Sequence, residues 1–247
     1  MTASVALQGV FKFHGPSGSQ TPILREVSFE LGQGEFLCVM GPSGSGKSSL
    51  LHLIAGLDSA SAGTIELAGK NLEALPQAER TRLRREQIGF VFQFFNLLPN
   101  LNVLENVGLP IAIRGERPER ERGKLSGLLE RFGVGGKQRS LPHQLSGGEM
   151  QRVSIARALA GDQPVLLCDE PTGNLSQQAG LEIMKTLRQV CDEDGKSVLL
   201  VTHNPRDAAF ADRVLFLVDG QLDPAHALHG PNIPVEDVHR TLAELHI

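Results

Sequence analysis

Residues 35–57, EFLCVMGPSGSGKSSLLHLIAGL, constrain the fold more than any other stretch of the chain. EFLCVMG is a short, continuous apolar run, the pattern of a strand buried on both faces of a parallel sheet, and SSLLHLIAGL has helical spacing. Between them GPSGSGKS fits G-x-x-x-x-G-K-[ST] at Gly41, Gly46, Lys47 and Ser48, with Pro42, Ser43, Gly44 and Ser45 forming the turn and Ser49 entering the helix. A strand, a loop of small residues and a helix in that order gather backbone N–H groups around one point at the helix N-terminus, where phosphate oxygens bind. Lys47 then neutralises charge on the terminal phosphates, and the Ser48 hydroxyl suits Mg²⁺. Without that flanking strand and helix the same letters would describe a merely flexible loop.

Two more runs have the same buried-strand character, PVLLCDE (residues 164–170) and SVLLVTH (residues 197–203). The first ends on two carboxylates. Asp169 is placed to hold Mg²⁺, directly or through water, and Glu170 to orient and polarise an attacking water. Acidic pairs at strand ends also serve as simple helix caps, but the loop upstream and Pro171 downstream favour chemistry. Ser4–Phe13, Arg25–Leu31 and Gly63–Gly69 alternate apolar with polar, as half-buried antiparallel strands do. Helical periodicity is expected at Gln77–Gln87, around Glu119–Phe132, at Glu149–Ala160 and at Gln177–Glu193. No internal repeat is visible.

The chain has 247 residues, 40% of them hydrophobic, enough for one large α/β domain. A net charge of −4 and a pI near 6.1 carry no bias toward coating nucleic acid. Cys38 and Cys168 sit inside apolar runs and Cys191 follows a helical stretch, so the three cysteines read as buried small hydrophobes in a reducing compartment. MTASVALQGV lacks a charged n-region and a long apolar h-region, and no apolar run approaches the roughly 18 residues that span a bilayer. A cytosolic chain is expected, held at a membrane only through a partner.

Leu145–Arg152, LSGGEMQR, introduces a second glycine-rich anion site. Ser146, Gly147, Gly148 and Glu149 precede the helical run MQRVSIARALA, so small residues expose N–H groups at a helix N-terminus. An ordinary N-cap accounts for Ser146 and Glu149 but not for two glycines. Since residues 41–48 already enclose one nucleotide, this clamp is expected to serve the nucleotide of a second copy, giving a head-to-tail pair with two shared sites.

LSGGEMQR resembles the signature motif of ATP-binding-cassette ATPases. With GPSGSGKS, Gln93 in FVFQFF, VLLCDEPTGNL and His203 in LLVTHNP, it matches that family in order and spacing over roughly residues 4–222. The resemblance implies a P-loop fold with a mainly parallel RecA-like core sheet, an antiparallel β subdomain and an inserted α-helical subdomain at about residues 94–160. It implies ATP and Mg²⁺ as ligands. Ser146 and Gly148 would close on the γ-phosphate across the dimer, Gln93 would link the metal and water to a transport subunit, and His203 would contact the γ-phosphate. Taken singly, Gln93 and His203 also read as polar residues ending strands.

Within the family, FQFFNLLPNLNVLENVGLP and DEPTGNL resemble the ATPases of lipoprotein release, macrolide export and related exporters, among them a cell-division ATPase with a mechanical membrane partner. Such subunits work from the cytosol on an integral-membrane permease, whose cytoplasmic coupling helix is expected to meet Phe94, Phe95, Leu97 and Leu98. Half of these four are equally expected in the core of the helical subdomain. Adenine is expected to stack near Phe13 and His14, where the family carries tyrosine. Ser176 replaces the family's aspartate after GNL, Asn204 the aspartate after the histidine, and Ser49 a threonine.

The charge runs ERTRLRRE (residues 79–86) and GERPERERGK (residues 115–124) read as solvated helix faces. After residue 222 the Pro/His-rich QLDPAHALHGPNIP gives way to VEDVHRTLAELHI, an amphipathic helix candidate. Residues 223–247 are expected to be an appended, largely disordered extension, and His226, His229, His239 and His246 lack metal-site spacing. Three functions fit such a chain: the ATPase of a membrane export or lipoprotein-extraction complex, a mechanical ATPase regulating cell-envelope hydrolases through a membrane partner, or a soluble cassette ATPase of DNA repair or translation. The third is disfavoured, since only about a hundred residues separate loop and signature, zinc cysteines are lacking, and there is one cassette.

Overall fold

Alternating and continuous apolar runs separate into two sheets in the computed structural model, which describes residues 3–15, 21–231 and 233–247. The elements in chain order are β1 (Val5–His14), β2 (Thr21–Leu31), β3 (Phe36–Met40), α1 (Lys47–Ile54), β4 (Ala62–Leu67), β5 (Lys70–Asn71), α2 (Gln77–Gln87) and β6 (Ile88–Val91). They continue as α3 (Val103–Ile113), α4 (Arg122–Arg131), α5 (Gly147–Leu159), β7 (Val165–Asp169), α6 (Gln177–Asp194), β8 (Ser197–Thr202), α7 (Pro205–Ala208), β9 (Arg213–Val218), β10 (Gln221–His229) and α8 (Val235–Glu244). Strands β2-β1-β4-β5 form an antiparallel sheet, and β10-β9-β3-β8-β7-β6 form a second sheet that is parallel except at its β10 edge.

The continuous runs are apolar because both faces of the second sheet are covered. Phe36, Cys38 and Met40 of β3 face one core with Leu166, Cys168, Val198 and Leu200, where α3, α4, α5 and α6 pack. Leu37 and Val39 face the other with Leu167, Leu199 and Val201, covered by α1 and the antiparallel sheet. All three cysteines are buried and free, and burial pushes each thiol pKa up, to about 11 for Cys191, so they behave as core.

Several boundaries differ from the sequence reading for identifiable reasons. The helix expected around Glu119–Phe132 opens with a 3₁₀ turn, Pro118–Glu121, before α4, Pro118 standing at its first position. Helix α5 starts two residues before Glu149 because Ser146 caps it. The described residues of the extension are ordered: β10 crosses residue 222 and pairs with β9, with a register break where Asp223 accepts from the N–H groups of Ala225 (2.9 Å) and His226 (3.1 Å). Ile233, just before α8, and Val238 and Leu242 on its apolar face then pack against the main core.

Candidate active site

The phosphate loop leaves β3 at the carboxyl edge of the parallel sheet, where open α/β sheets bind ligands. A Cβ at Gly41 would lie 2.2 Å from the Leu217 carbonyl oxygen, so the loop starts pressed against β9. Gly46, at φ 103, caps α1 where a Cβ would meet the Ile23 carbonyl oxygen at 2.9 Å. Lys47 is buried and its Nζ donates to the carbonyls of Gly41 and Pro42, both at 2.8 Å. Burial lowers its pKa, with Glu170 and Asp169 acting in opposition. The Ser45 hydroxyl is buried without a partner. A loop whose two ends, Gly41 and Gly46, admit no Cβ, an orphaned hydroxyl and a lysine resting on two carbonyls together fit an incoming polyphosphate.

Strands β7 and β8 end beside this loop. Ser48 Oγ donates to Asp169 Oδ1 at 3.2 Å, bringing together two hard oxygen donors, and Asp169 has its pKa raised by burial. Glu170 Oε1 lies 2.9 Å from His203 Nδ1 and 4.0 Å from Lys47 Nζ. Its backbone stands at φ 42, a left-handed conformation unusual for a non-glycine residue. A Cβ at Gly173 would lie 2.8 Å from Gln93 Nε2, so the Gln93 amide reaches toward the turn that follows Glu170. Asn174 fastens this turn by donating to the Gln93 carbonyl at 2.9 Å. Lys47, Ser48, Gln93, Asp169, Glu170 and His203 therefore converge on one edge.

Phe13 and His14 end β1, paired with Pro22 and Thr21 beside the Ile23 that abuts Gly46. Phe13 stacks on Phe11, centroid to centroid 6.2 Å, and His14 is exposed. The signature residues stand apart. Ser146 and Glu149 form a capping box, Glu149 Oε2 accepting from the Ser146 N–H at 2.8 Å and from its hydroxyl at 2.9 Å, which lowers the Glu149 pKa. Among the described residues, no hydrogen bond joins 146–149 to the phosphate loop.

Of the four apolar residues after Gln93, Phe94 is 70% exposed and Leu98 47%, while Leu97 packs on the core and Phe95 lies beside Gly147. Next to them a groove of about 360 Å³ is lined by Leu57, Phe90, Phe92, Leu109, Pro110 and Ile113, with Arg84, Arg85 and Arg157 at its margin. Arg157 donates to the Asn96 carbonyl at 2.5 Å and the Phe95 carbonyl at 2.8 Å. Buried Gln151 donates to the Phe92 carbonyl at 3.3 Å, so α5 holds the segment that borders the groove. Gln151, Arg157, Asn174, Thr172 and Asp207 carry no signal of these contacts in the sequence, because each partner lies tens of residues away along the chain.

A sequence model described as ABC transporter matches residues 24–173. The chain belongs to the ABC transporter family. It is 42% identical over 219 residues to the lipoprotein-releasing system ATP-binding protein LolD 2 of Caulobacter vibrioides, covering 89% of this chain and 96% of that protein. It is 41% identical over 218 residues to the macrolide export ATP-binding/permease protein MacB 1/2 of Paracoccus denitrificans, covering 88% of this chain and 32% of that longer protein. Among solved structures it is similar to the dimeric, post-hydrolysis state of the ATP-binding cassette MJ0796 bound to ADP and Pi, with TM-score 0.79 and 38% identity over 91% of this chain and 98% of that one. The protein is thus an ABC-type ATPase that binds ATP. Among the described residues no helix is long and apolar enough to cross a membrane.

Proposed function

We propose that this ATPase powers a membrane export or lipoprotein-extraction complex, hydrolysing ATP at two composite sites of a head-to-tail dimer seated on a permease at the inner membrane face. The observation that carries the proposal is Glu170, set between His203 and Lys47 at the mouth of the phosphate loop. In that position Glu170 orients and polarises the attacking water, His203 and Lys47 meet the γ-phosphate, and the backbone N–H groups of 41–48 hold the remaining phosphate oxygens. Ser48, Asp169 and the Gln93 amide are the oxygen donors that would hold Mg²⁺, which supplies charge neutralisation at the β- and γ-phosphates. Phe13 and His14 would lie against the base.

The separation of the Ser146 capping box from the chain's own loop favours sharing. Its exposed helix N-terminus has room for an anion that a second chain brings, and the similar cassette whose solved structure is a dimer supports that arrangement. The groove beside Gln93 fits a permease's cytoplasmic helix: apolar at its base, cationic at its margin, and tied to α5 through Arg157 and Gln151. The fused ATP-binding/permease architecture of the macrolide export relative supports a permease partner.

Mixing two inactive variants tests the shared site. Lys47→Ala lacks a working loop and Ser146→Arg a working clamp, so each alone should be inactive, while their mixed dimer keeps one intact composite site. With half of the dimers mixed in a random one-to-one mixture and one of two sites intact in each, recovery of up to about a quarter of the wild-type activity is expected. An inactive mixture of two variants that demonstrably dimerise would mean that each chain completes its own site.

A further inference from the structure

Glu170 is held in a conformation that a non-glycine side chain keeps only where its surroundings overdetermine it. Its N–H donates to the Val201 carbonyl at 3.0 Å, and its own carbonyl accepts from the Gly173 N–H at 3.0 Å. These bonds fix the two ends of a tight turn over residues 170–173. The turn is fixed between them by Thr172, whose hydroxyl donates to Asp207 Oδ2.

Asp207 belongs to α7, the short helix that opens two residues after His203. It is 4% exposed, and burial raises its pKa, with the Thr172 hydroxyl and then His203 acting in opposition. Asn204 caps α7 by accepting from the Arg206 N–H at 3.1 Å, and α8 packs against the helix. A carboxylate carried at this depth on the segment that follows His203, and bonded to the turn that follows Glu170, joins two strand ends that no other side-chain bond links except His203 to Glu170 itself, among the described residues.

We propose that Asp207 is a positioning residue for hydrolysis: through Thr172 it locks the turn after Glu170 to the segment that carries His203, so that carboxylate and histidine keep a common register. This rests on Glu170 being the group that orients water. Asp207 does not touch the nucleotide in this scheme, so its loss should change turnover and spare ATP binding.

Steady-state ATP hydrolysis by the full chain tests this. Thr172→Val keeps the shape and removes the hydroxyl. It should lower kcat at least about tenfold, within the roughly 10²-fold that an ångström of misplacement costs, with KM changed less than about twofold. Thr172→Ser restores the hydroxyl and should recover most of the lost kcat. Adding Thr172→Val to Asp207→Ala should lower kcat little beyond Asp207→Ala alone, since both remove one bond. Wild-type kcat in Thr172→Val, equal damage in Thr172→Ser, or fully multiplicative losses in the double variant would each overturn the assignment. Glu170→Gln, measured in parallel, separates the two levels. Full activity there would remove Glu170 from the chemistry, whereas a dead Glu170→Gln beside a fully active Thr172→Val would remove only Asp207.

Discussion

Gly173→Ala is a small change whose consequence follows from one distance. Gly173 is exposed and has an ordinary negative-φ backbone, so alanine meets no conformational strain there. The added Cβ would lie 2.8 Å from Gln93 Nε2 and 3.4 Å from the Glu170 carbonyl oxygen. The second contact is ordinary. The first is not, and because Nε2 is the far end of a flexible side chain, the amide withdraws by about 0.6 Å or more while the backbone stays put. Misplacing a group at a reacting centre by about 1 Å costs up to 10²-fold, so a loss of roughly tenfold in kcat is expected. Folding should not suffer, since Gly→Ala at a compatible backbone position gains about 0.4–1 kcal/mol by restricting the unfolded chain. Steady-state ATPase rates, ATP affinity and thermal melting decide the matter together. A wild-type kcat would mean that the Gln93 amide does not serve the reaction. A fallen Tm would mean that the change acts through the fold.

Two other perturbations separate neighbouring roles. Ile113→Glu places a carboxylate at the rim of the apolar groove, where Ile113 is 55% exposed. It should leave the basal rate of the isolated subunit within about twofold and abolish stimulation by the permease, a loss of about 2 kcal/mol or more in association if Ile113 is an anchor; a parallel fall in basal rate would make this a fold defect. Ser176→Asp changes one good N-cap for another, so α6 should keep its stability within about 0.5 kcal/mol, as melting will show. With a carboxylate at that exposed position, the Hill coefficient of the permease-bound pair should rise, an allosteric coupling being typically worth about 1–3 kcal/mol.

The parallel core of the fold was legible because burial on both faces leaves no alternation: β3, β7 and β8 coincide with EFLCVMG, PVLLCDE and SVLLVTH. Helix α3 contains Gly108 and Pro110 and has little polar face to set off its apolar stripe, so its sequence does not stand out as helix; an Asn102–Glu105 capping box and the buried stripe Val103, Val107 and Ile111 sustain it. The extension misled for a related reason. Pro224, His226 and His229 look like loop, yet β9 offers an edge to pair with, and the Asp223 side chain takes up the N–H groups freed at the register break. His226, bonded to Asp223 at 2.9 Å and 3.7 Å from Glu244, then ties that strand to α8.

In the site, the residues named by motif fall at the ends of strands whose order brings them together. Sequence spacing alone gave no sign of Thr172 and Asp207, which are 35 residues apart and meet only because β7 and β8 are neighbours. Ser176 shows the opposite limit. It is conspicuous as a departure from the family pattern, and within one chain it does ordinary work, accepting from the Ala179 N–H at 3.4 Å as the cap of α6. Asn204 does likewise for α7.

The most direct measurement is light scattering on the Glu170→Gln protein, with and without ATP and Mg²⁺, alongside its turnover. Loss of the water-orienting carboxylate should reduce hydrolysis by about 10²-fold or more while leaving ATP bound. Trapped nucleotide held between one chain's loop and the other's Ser146–Gly148 should then convert monomer to dimer by mass action. Dimer formation on adding ATP, with turnover nearly abolished, is the predicted result. Hydrolysis at the wild-type rate, or a monomer at saturating ATP that also fails to close when assembled with its permease, would contradict the account.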